Sequence, residues 1–212
     1  LAAHGSVLLL EAESTTGYHA TGRSAALFTR NYGSPIVRQV NAASAPFFRS
    51  PPAGFCDTPL LTPRGSLTVA PPDHEGGLAE LLSMSEPGEE ISLIDPKDAC
   101  EMVPFLRQDR VGYAAFEANV TDIDVANVHL SYLKGAKARG ATVLTKQTVK
   151  ALSRQSDVWS VQTAKDTFLA AQIINAAGAW ADQVGAMAGA GPIGLVPMRR
   201  TAIIINAPEG VQ

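Results

Sequence analysis

Cysteine is scarce in this chain. Cys56 and Cys100 are the only two, and they form neither a CxxC pair nor a zinc spacing. The expectation is two free, buried thiols in a reducing compartment. The four histidines are dispersed without metal-ligand spacing, so no metal site is expected. No basic cluster exceeds the pair Arg199–Arg200, and Lys+Arg 17 against Asp+Glu 20 leaves a net charge of -3, which argues against a nucleic-acid partner. No apolar run approaches the ~18 residues of a membrane span, and no signal peptide is visible. The chain has no internal repeat and no low-complexity tract. Its 212 residues, 46% hydrophobic and 17% charged, suffice for one large domain or two interleaved small ones with an ordinary core.

The most informative stretch is Val7 to Tyr32. An apolar run, Val7 to Leu10, ends in Glu11; Glu13 follows, then a Gly/Ser/Thr-rich loop, then an apolar segment from Ser24 that reads as helical. A short continuous apolar run is the signature of a buried parallel strand. An acid at its C-terminal tip is where a dinucleotide-binding fold holds the adenosine ribose, so Glu11 points to a nucleotide cofactor. A solvated strand-end acid is the plainer alternative. The Gly-rich phosphate loop of such a fold lies about 20 residues before the acid, but only ten residues precede Glu11. Leu1 to His4, stopped by Gly5, reads as the last turn of a helix. The first strand and glycine loop are therefore expected upstream, and the chain reads as a fragment.

From Ser50 to Gly76 the character changes. Six prolines surround short runs such as Ser66 to Ala70, which predicts antiparallel strands and turns. Leu78 to Ser83 reads as a short helix and Ile91 to Ile94 as a strand. Asp95-Pro96 starts a helix that ends before Pro104, because aspartate caps free N–H groups and proline suits the first helical position. Asp124 opens the clearest helix, Val125 to Arg139. Val125, Val128, Tyr132, Leu133 and Ala136 share one face, and Gly140 closes it. Thr142 to Leu144 is a strand. Val149 to Leu152, Trp159 to Thr163 and Thr167 to Ala171 predict a small antiparallel sheet. Gln172 to Asn175 reads as a short buried strand before a helix over Ala179 to Ala188. Thr201 to Asn206 is an apolar strand without a partner, which predicts truncation at this end too. The order is nucleotide unit, β-rich insert, nucleotide unit, β-rich start.

GYHATGRSAALF at 17–28, TDID at 121–124 and INAAGAWAD at 174–182 resemble the FAD-dependent amine and D-amino-acid oxidoreductases, the glycine oxidase, sarcosine oxidase and D-amino-acid dehydrogenase group. PPAGFC at 51–56, PLLTPR at 59–64 and GLVPMRR at 194–200 extend the likeness over nearly the whole chain, and it is greatest to bacterial catabolic D-arginine dehydrogenase. Each motif is loose alone; their order and spacing carry the resemblance. It implies an α/β fold, α+β in part: a Rossmann-like FAD-binding domain (1–49 and 119–191) interleaved with an antiparallel β-rich substrate domain (50–118, and 192–212 as its start). It also implies bound FAD. Glu11 would take the ribose, and backbone N–H groups around Thr21, Gly22, Arg23, Ser24 and Ala25 would approach the pyrophosphate and flavin ring. Val149 would meet adenine through its main chain, and Ala177 and Gly178 would pass near the phosphates. Trp180 is read as packing.

On the substrate side the resemblance assigns Thr29 and Tyr32 to the pocket and Arg200 to the substrate carboxylate, a bidentate partner for its planar fork. Tyr32 and Arg200 are the implied catalytic residues. Two positions depart from the D-arginine enzymes: Ser66 replaces a glutamate that holds a cationic side chain, and Leu27 replaces a histidine. Losing a charge-assisted contact removes typically ~1.5–3 kcal/mol, so neutral or apolar amino acids are the expected preference. The implied reaction is oxidation of a CH–NH bond: hydride passes to the flavin and the imine hydrolyses to a 2-oxo acid and ammonia. Oxygen or a quinone-type carrier would accept the electrons, in the cytoplasm or at the periphery of the inner membrane. Oxidation of a sarcosine- or proline-like secondary amine or a 2-hydroxy acid, NAD binding at the Glu11 unit, and a catalytically incomplete fragment stand as alternatives. Asp122 and Asp124 resemble a paired-carboxylate site, but helix capping by Asp124 accounts for them more simply.

Overall fold

A computed structural model describes residues 1–199 together with Thr201 and Asn206. In chain order the first elements are β1 (Leu8–Leu10), β2 (Leu27–Phe28), α1 (Pro35–Arg49), β3 (Leu61–Pro63), β4 (Ser66–Ala70) and α2 (Glu75–Ser83). Next come β5 (Ile91–Ile94), α3 (Pro96–Met102), β6 (Tyr113–Glu117), β7 (Thr121–Ile123) and α4 (Val125–Ala138). The last are β8 (Thr142–Leu144), β9 (Val149–Gln155), β10 (Val158–Thr163), β11 (Thr167–Ala170) and α5 (Ala181–Met187). The mixed α/β composition agrees with the sequence reading.

The chain divides into two compact units. One holds Leu1–Arg23 and Tyr132–Asn206; the other holds Ser24–Ser131. The expected breaks at 49/50 and 118/119 fall elsewhere because β2 and β7 pair with β3 in one antiparallel sheet, ordered β2-β7-β3. That pairing ties the segments on either side of the proline-rich stretch into the same unit.

In the first unit β1 and β8 run parallel, Leu8 opposite Thr142 and Leu10 opposite Leu144. Glu11 follows directly at the carboxyl end, its N–H donating to Leu144 O at 2.8 Å. The predicted small sheet forms in the order β11-β10-β9, all antiparallel. A buried polar knot holds its end: Thr163 Oγ1 donates to Gln147 Oε1 at 2.7 Å and accepts from Asp166 N–H at 3.0 Å.

In the second unit β6 is the middle strand of an antiparallel sheet, β4-β6-β5. Its Ala114 and Ala115 are almost fully buried. Ile91, Leu81, Leu82 and Met84 pack with Ala115. A small residue at Ala115 lets α2 lie close on that face of β6. Side chains alternate along a strand, and the register sets Ser66 opposite Glu117 and Thr68 opposite Ala115. Ser66, Thr68, Ala115 and Glu117 therefore share one face.

Asp95 caps α3, its Oδ1 accepting Lys97 N–H at 2.8 Å. Asp124 caps α4 by accepting Asn127 N–H at 2.8 Å, and Gly140 beyond it takes φ +84°. Asp122 pairs instead with Arg64 at 2.8 Å, so the two carboxylates do separate structural work.

Several expectations need correction. Leu1–His4 is a single turn, His4 N–H to Leu1 O at 2.8 Å, and Gly5 does not adopt a left-handed stop. The segment from Ser24 is not helical. Ala26 takes φ +54°, and Leu27–Phe28 pairs with β7, so helix begins only where Pro35 fills its first turn. Gln172–Asn175 pairs with no strand among the described residues, and Ile174 is 65% exposed. Tyr132 is exposed despite sharing the predicted apolar face of α4. Cys56 and Cys100 are free, as expected, but half-buried rather than buried. The Thr201–Asn206 strand lies outside the described residues except at its two ends. No helix of the described residues is long and apolar enough to cross a membrane.

Candidate functional site

The first unit carries the residues expected to hold a cofactor, except Ser24 and Ala25, which open the second. Glu11 stands at the tip of a parallel strand, where a dinucleotide fold places its ribose acceptor. One carboxylate oxygen, Oε1, accepts Glu13 N–H at 2.9 Å, which fixes the side chain; Oε2 takes no hydrogen bond from any described residue. The loop after it folds back on itself. Gly22 N–H donates to Gly17 O at 2.7 Å, and a Cβ at Gly22 would collide with that same carbonyl. Only glycine permits so close a return.

His19 anchors this loop. Its Nε2 lies 2.9 Å from Glu13 Oε1, and its ring stands 4.7 Å from that of Trp180. Arg23 lies 4.8 Å over the Tyr18 ring. Trp180 thus packs, as read from the sequence, and its partner is His19. The turn Ala177–Gly178 is shaped by Asn175, whose Oδ1 accepts Ala177 N–H at 3.2 Å and whose Nδ2 donates to Ala181 O at 2.8 Å. Gly178 sits at φ +55°, a conformation glycine adopts without strain. Val149 opens β9, half-buried opposite Thr163.

Thr21, Gly22, Arg23, Ser24 and Ala25 are all exposed. The N–H groups of Ser24 and Ala25 donate to no described residue, whereas Ala26 N–H is taken by Ser24 Oγ at 3.1 Å. Within the first unit, a fixed acid with one open oxygen beside a compact, exposed glycine turn fits the sugar end of FAD, the carboxylate serving as acceptor for its hydroxyls.

The second unit carries a cleft of about 670 Å³. Its lining includes Thr29, Tyr32 and Ser66, three of the residues assigned to the substrate; Arg200 lies outside the described residues. One wall is the face of β4 and β6 that bears Ser66, Thr68 and Glu117. Leu81 and Met84 close the cleft beside Leu27 and Tyr32, and Arg38 contributes a cation held 3.2 Å from Glu86.

Glu117 was missed by sequence reasoning. Its Oε2 accepts from Thr29 Oγ1 at 3.1 Å and from Asn31 Nδ2 at 2.9 Å. Asn31 is 4% exposed and has every group engaged: Nδ2 also donates to Glu89 O at 2.7 Å, and Oδ1 accepts Glu86 N–H at 3.1 Å. Glu89 is buried between Arg30 at 3.3 Å and Arg49 at 2.8 Å. The sequence signal for Glu117 existed. An acid closes the apolar run Tyr113–Phe116, just as Glu11 closes Val7–Leu10. What one strand could not reveal was its neighbour across the sheet. Ser66 lacks the carboxylate of the D-arginine enzymes, and its cross-strand neighbour in the cleft is Glu117. Among the described residues no group of His, Cys, Asp and Glu could hold a metal.

The description of the FAD dependent oxidoreductase (DAO) family matches residues 1–212. Human mitochondrial dimethylglycine dehydrogenase is 34% identical over 98 residues, 46% of this chain and 11% of that protein. Among solved structures, L-proline dehydrogenase from P. horikoshii superposes with a TM-score of 0.71 at 22% identity, covering 89% of this chain and 51% of that one. L-alpha-glycerophosphate oxidase from Mycoplasma pneumoniae, solved with FAD bound, gives 0.73 at 16% identity, covering 85% and 50%. At these identities the structural likeness speaks to the fold, and the chain spans about half the length of both solved proteins. The family match runs from the first residue to the last, and it meets a parallel-strand acid and an open main-chain loop suited to FAD: the chain belongs to the FAD dependent oxidoreductase family.

Proposed function

We propose that the protein containing this chain oxidises the CH–NH bond of a D-amino acid, giving an imine that water converts to a 2-oxo acid and ammonia. The observation that carries the reading is the end-to-end family match. The cleft that gathers Thr29, Tyr32 and Ser66 supports it. FAD, when bound, supplies the hydride acceptor. In this reading the first unit holds the cofactor through Glu11, Thr21–Arg23 and the Ala177–Gly178 turn, and the second unit supplies the substrate cleft. Thr29 and Tyr32 orient the substrate, and Arg200 grips its carboxylate, fixing which α-hydrogen is presented. A D-arginine-dehydrogenase-like grouping, a cytoplasmic or inner-membrane-peripheral location, and oxygen or a quinone-type acceptor complete the proposal.

The likeness to dimethylglycine dehydrogenase favours a second reading, oxidation of a secondary or tertiary amine on the same scaffold. An anaerobic titration of the purified holoprotein separates the two. Bleaching of the flavin absorbance by D-amino acids, with release of ammonia, supports the first. Bleaching only by N-methylated amines, with no ammonia released, supports the second. Absence of bound flavin defeats both.

A further inference from the structure

We infer that Glu117 is a specificity-determining residue: it receives the cationic far end, guanidinium or ammonium, of a basic amino acid or amine in the cleft of the second unit. The inference rests on the proposed amine oxidation for the identity of the ligand, and on geometry for the site.

Glu80, Glu86, Glu89 and Glu117 lie along this corner of the unit, and Glu80 is exposed in the cleft lining. Glu86 has Arg38, and Glu89 has Arg30 and Arg49. Glu117 is half-buried and has no cation among the described residues; its two recorded donors, the Thr29 hydroxyl and the Asn31 amide, are both neutral and both serve Oε2. Oε1 takes no hydrogen bond from any described residue. A carboxylate withdrawn from water is stabilised by pairing with a cation. Here the fixed partners hold the group in one orientation and leave Oε1 open, with no cation beside the carboxylate among the described residues.

Asn31 makes that orientation rigid, since it is buried and bonded at both ends of its amide. The acceptor is thus set before a ligand arrives, so less side-chain entropy is lost on binding. The cross-strand serine is small, which leaves room in front of the carboxylate where a larger residue at 66 would fill the space. A cleft of about 670 Å³ is in the range that admits a small molecule the length of an extended arginine.

The chemistry also selects which cation is received. Hydride can leave only when the reacting amine is neutral. A carboxylate in contact with that amine would favour its protonated form. Glu117 therefore suits a second, remote cation and not the nitrogen undergoing oxidation. The preference that follows is for basic substrates, the reverse of what Ser66 alone predicts.

The test compares D-arginine with D-leucine on the FAD-loaded holoprotein. The ratio of their kcat/KM values should exceed one. It should fall about tenfold or more in Glu117→Gln, the size expected for one charge-assisted contact, and recover in part in Glu117→Asp. A binding measurement needs no turnover. Butylguanidinium should bind the wild-type holoprotein at least about tenfold more tightly than neutral butylurea by calorimetry, and Glu117→Gln should erase the difference. Equal affinity for the two probes in the wild type overturns the inference, and this holds even if the variant fails to fold. So does a loss in Glu117→Gln that is the same for arginine and leucine, which would place Glu117 at a part common to all substrates. If no amino acid or amine bleaches the flavin but the probes are still discriminated through Glu117, the proposed reaction fails while the cation site stands.

Discussion

At the scale of the residue, two side chains invite direct measurement. Glu11 keeps its backbone contact to Glu13 in Glu11→Gln, because an amide oxygen can accept the same N–H. What is lost is the charged acceptor. The variant should unfold within about 0.5 kcal/mol of the wild type yet bind FAD about tenfold or more weakly, read from flavin fluorescence on titrating the apoprotein. Thr163 is 6% exposed and joins Gln147 to Asp166. Thr163→Val keeps the shape and strands those partners, so a loss of about 1–3 kcal/mol is expected, seen as a lower urea midpoint at unchanged slope. Glu11 could be picked out as a candidate because an acid that ends an apolar run is a local signal, although Leu8 and Leu9 of that run are exposed and not buried as expected. Thr29, Tyr32 and Ser66 were legible only through resemblance; they lie far apart in the chain and meet in one cleft through strand pairing. Glu117 was illegible for the converse reason, since its meaning depends on the serine opposite and on the asparagine that fixes it.

At the scale of the element, what could be read was what carried its own punctuation. The strand at Ile91–Ile94 and the helices opened by Asp95-Pro96 and Asp124 stand where capping and apolar spacing put them. Elements whose state is decided by distant partners could not be read this way. The Ser24 segment looks helical in composition, but the left-handed Ala26 and the pairing of Leu27 with Asp122 commit it to extended structure. Gln172–Asn175 has the apolar content of a strand without a described neighbour to pair with. One contact between elements has a measurable role. Asp182, in the first turn of α5, accepts Ile193 N–H at 3.0 Å through Oδ1 and Leu195 N–H at 2.9 Å through Oδ2. A single carboxylate thereby tethers the segment that leads toward Arg199. In Asp182→Ala the Ile193 and Leu195 amides should exchange with solvent about tenfold faster or more, while exchange within β9–β11 stays as it was.

At the scale of the whole molecule, both units draw on a chain that crosses between them, at Arg23–Ser24 and again within α4 at Ser131–Tyr132. The proline-rich change of character at Ser50 suggests a boundary there, but Ser50 lies inside the second unit. The boundaries are set by which strands hydrogen-bond and not by composition. The parallel pair β1–β8 has a consequence in time. Leu8 finds Thr142 only after the entire second unit has been made, so that contact must close a very long loop, whereas β4, β5 and β6 are near neighbours in sequence. Loop closure grows costlier with length, and non-local pairing is slow. As the chain leaves the ribosome, Ser24–Ser131 should settle first and its opening strand should wait unpaired. Pulse-labelled hydrogen exchange during refolding should find the amides of β4, β5 and β6 protected before those of β1 and β8. Simultaneous protection would mean that the second unit gains its order only together with the first.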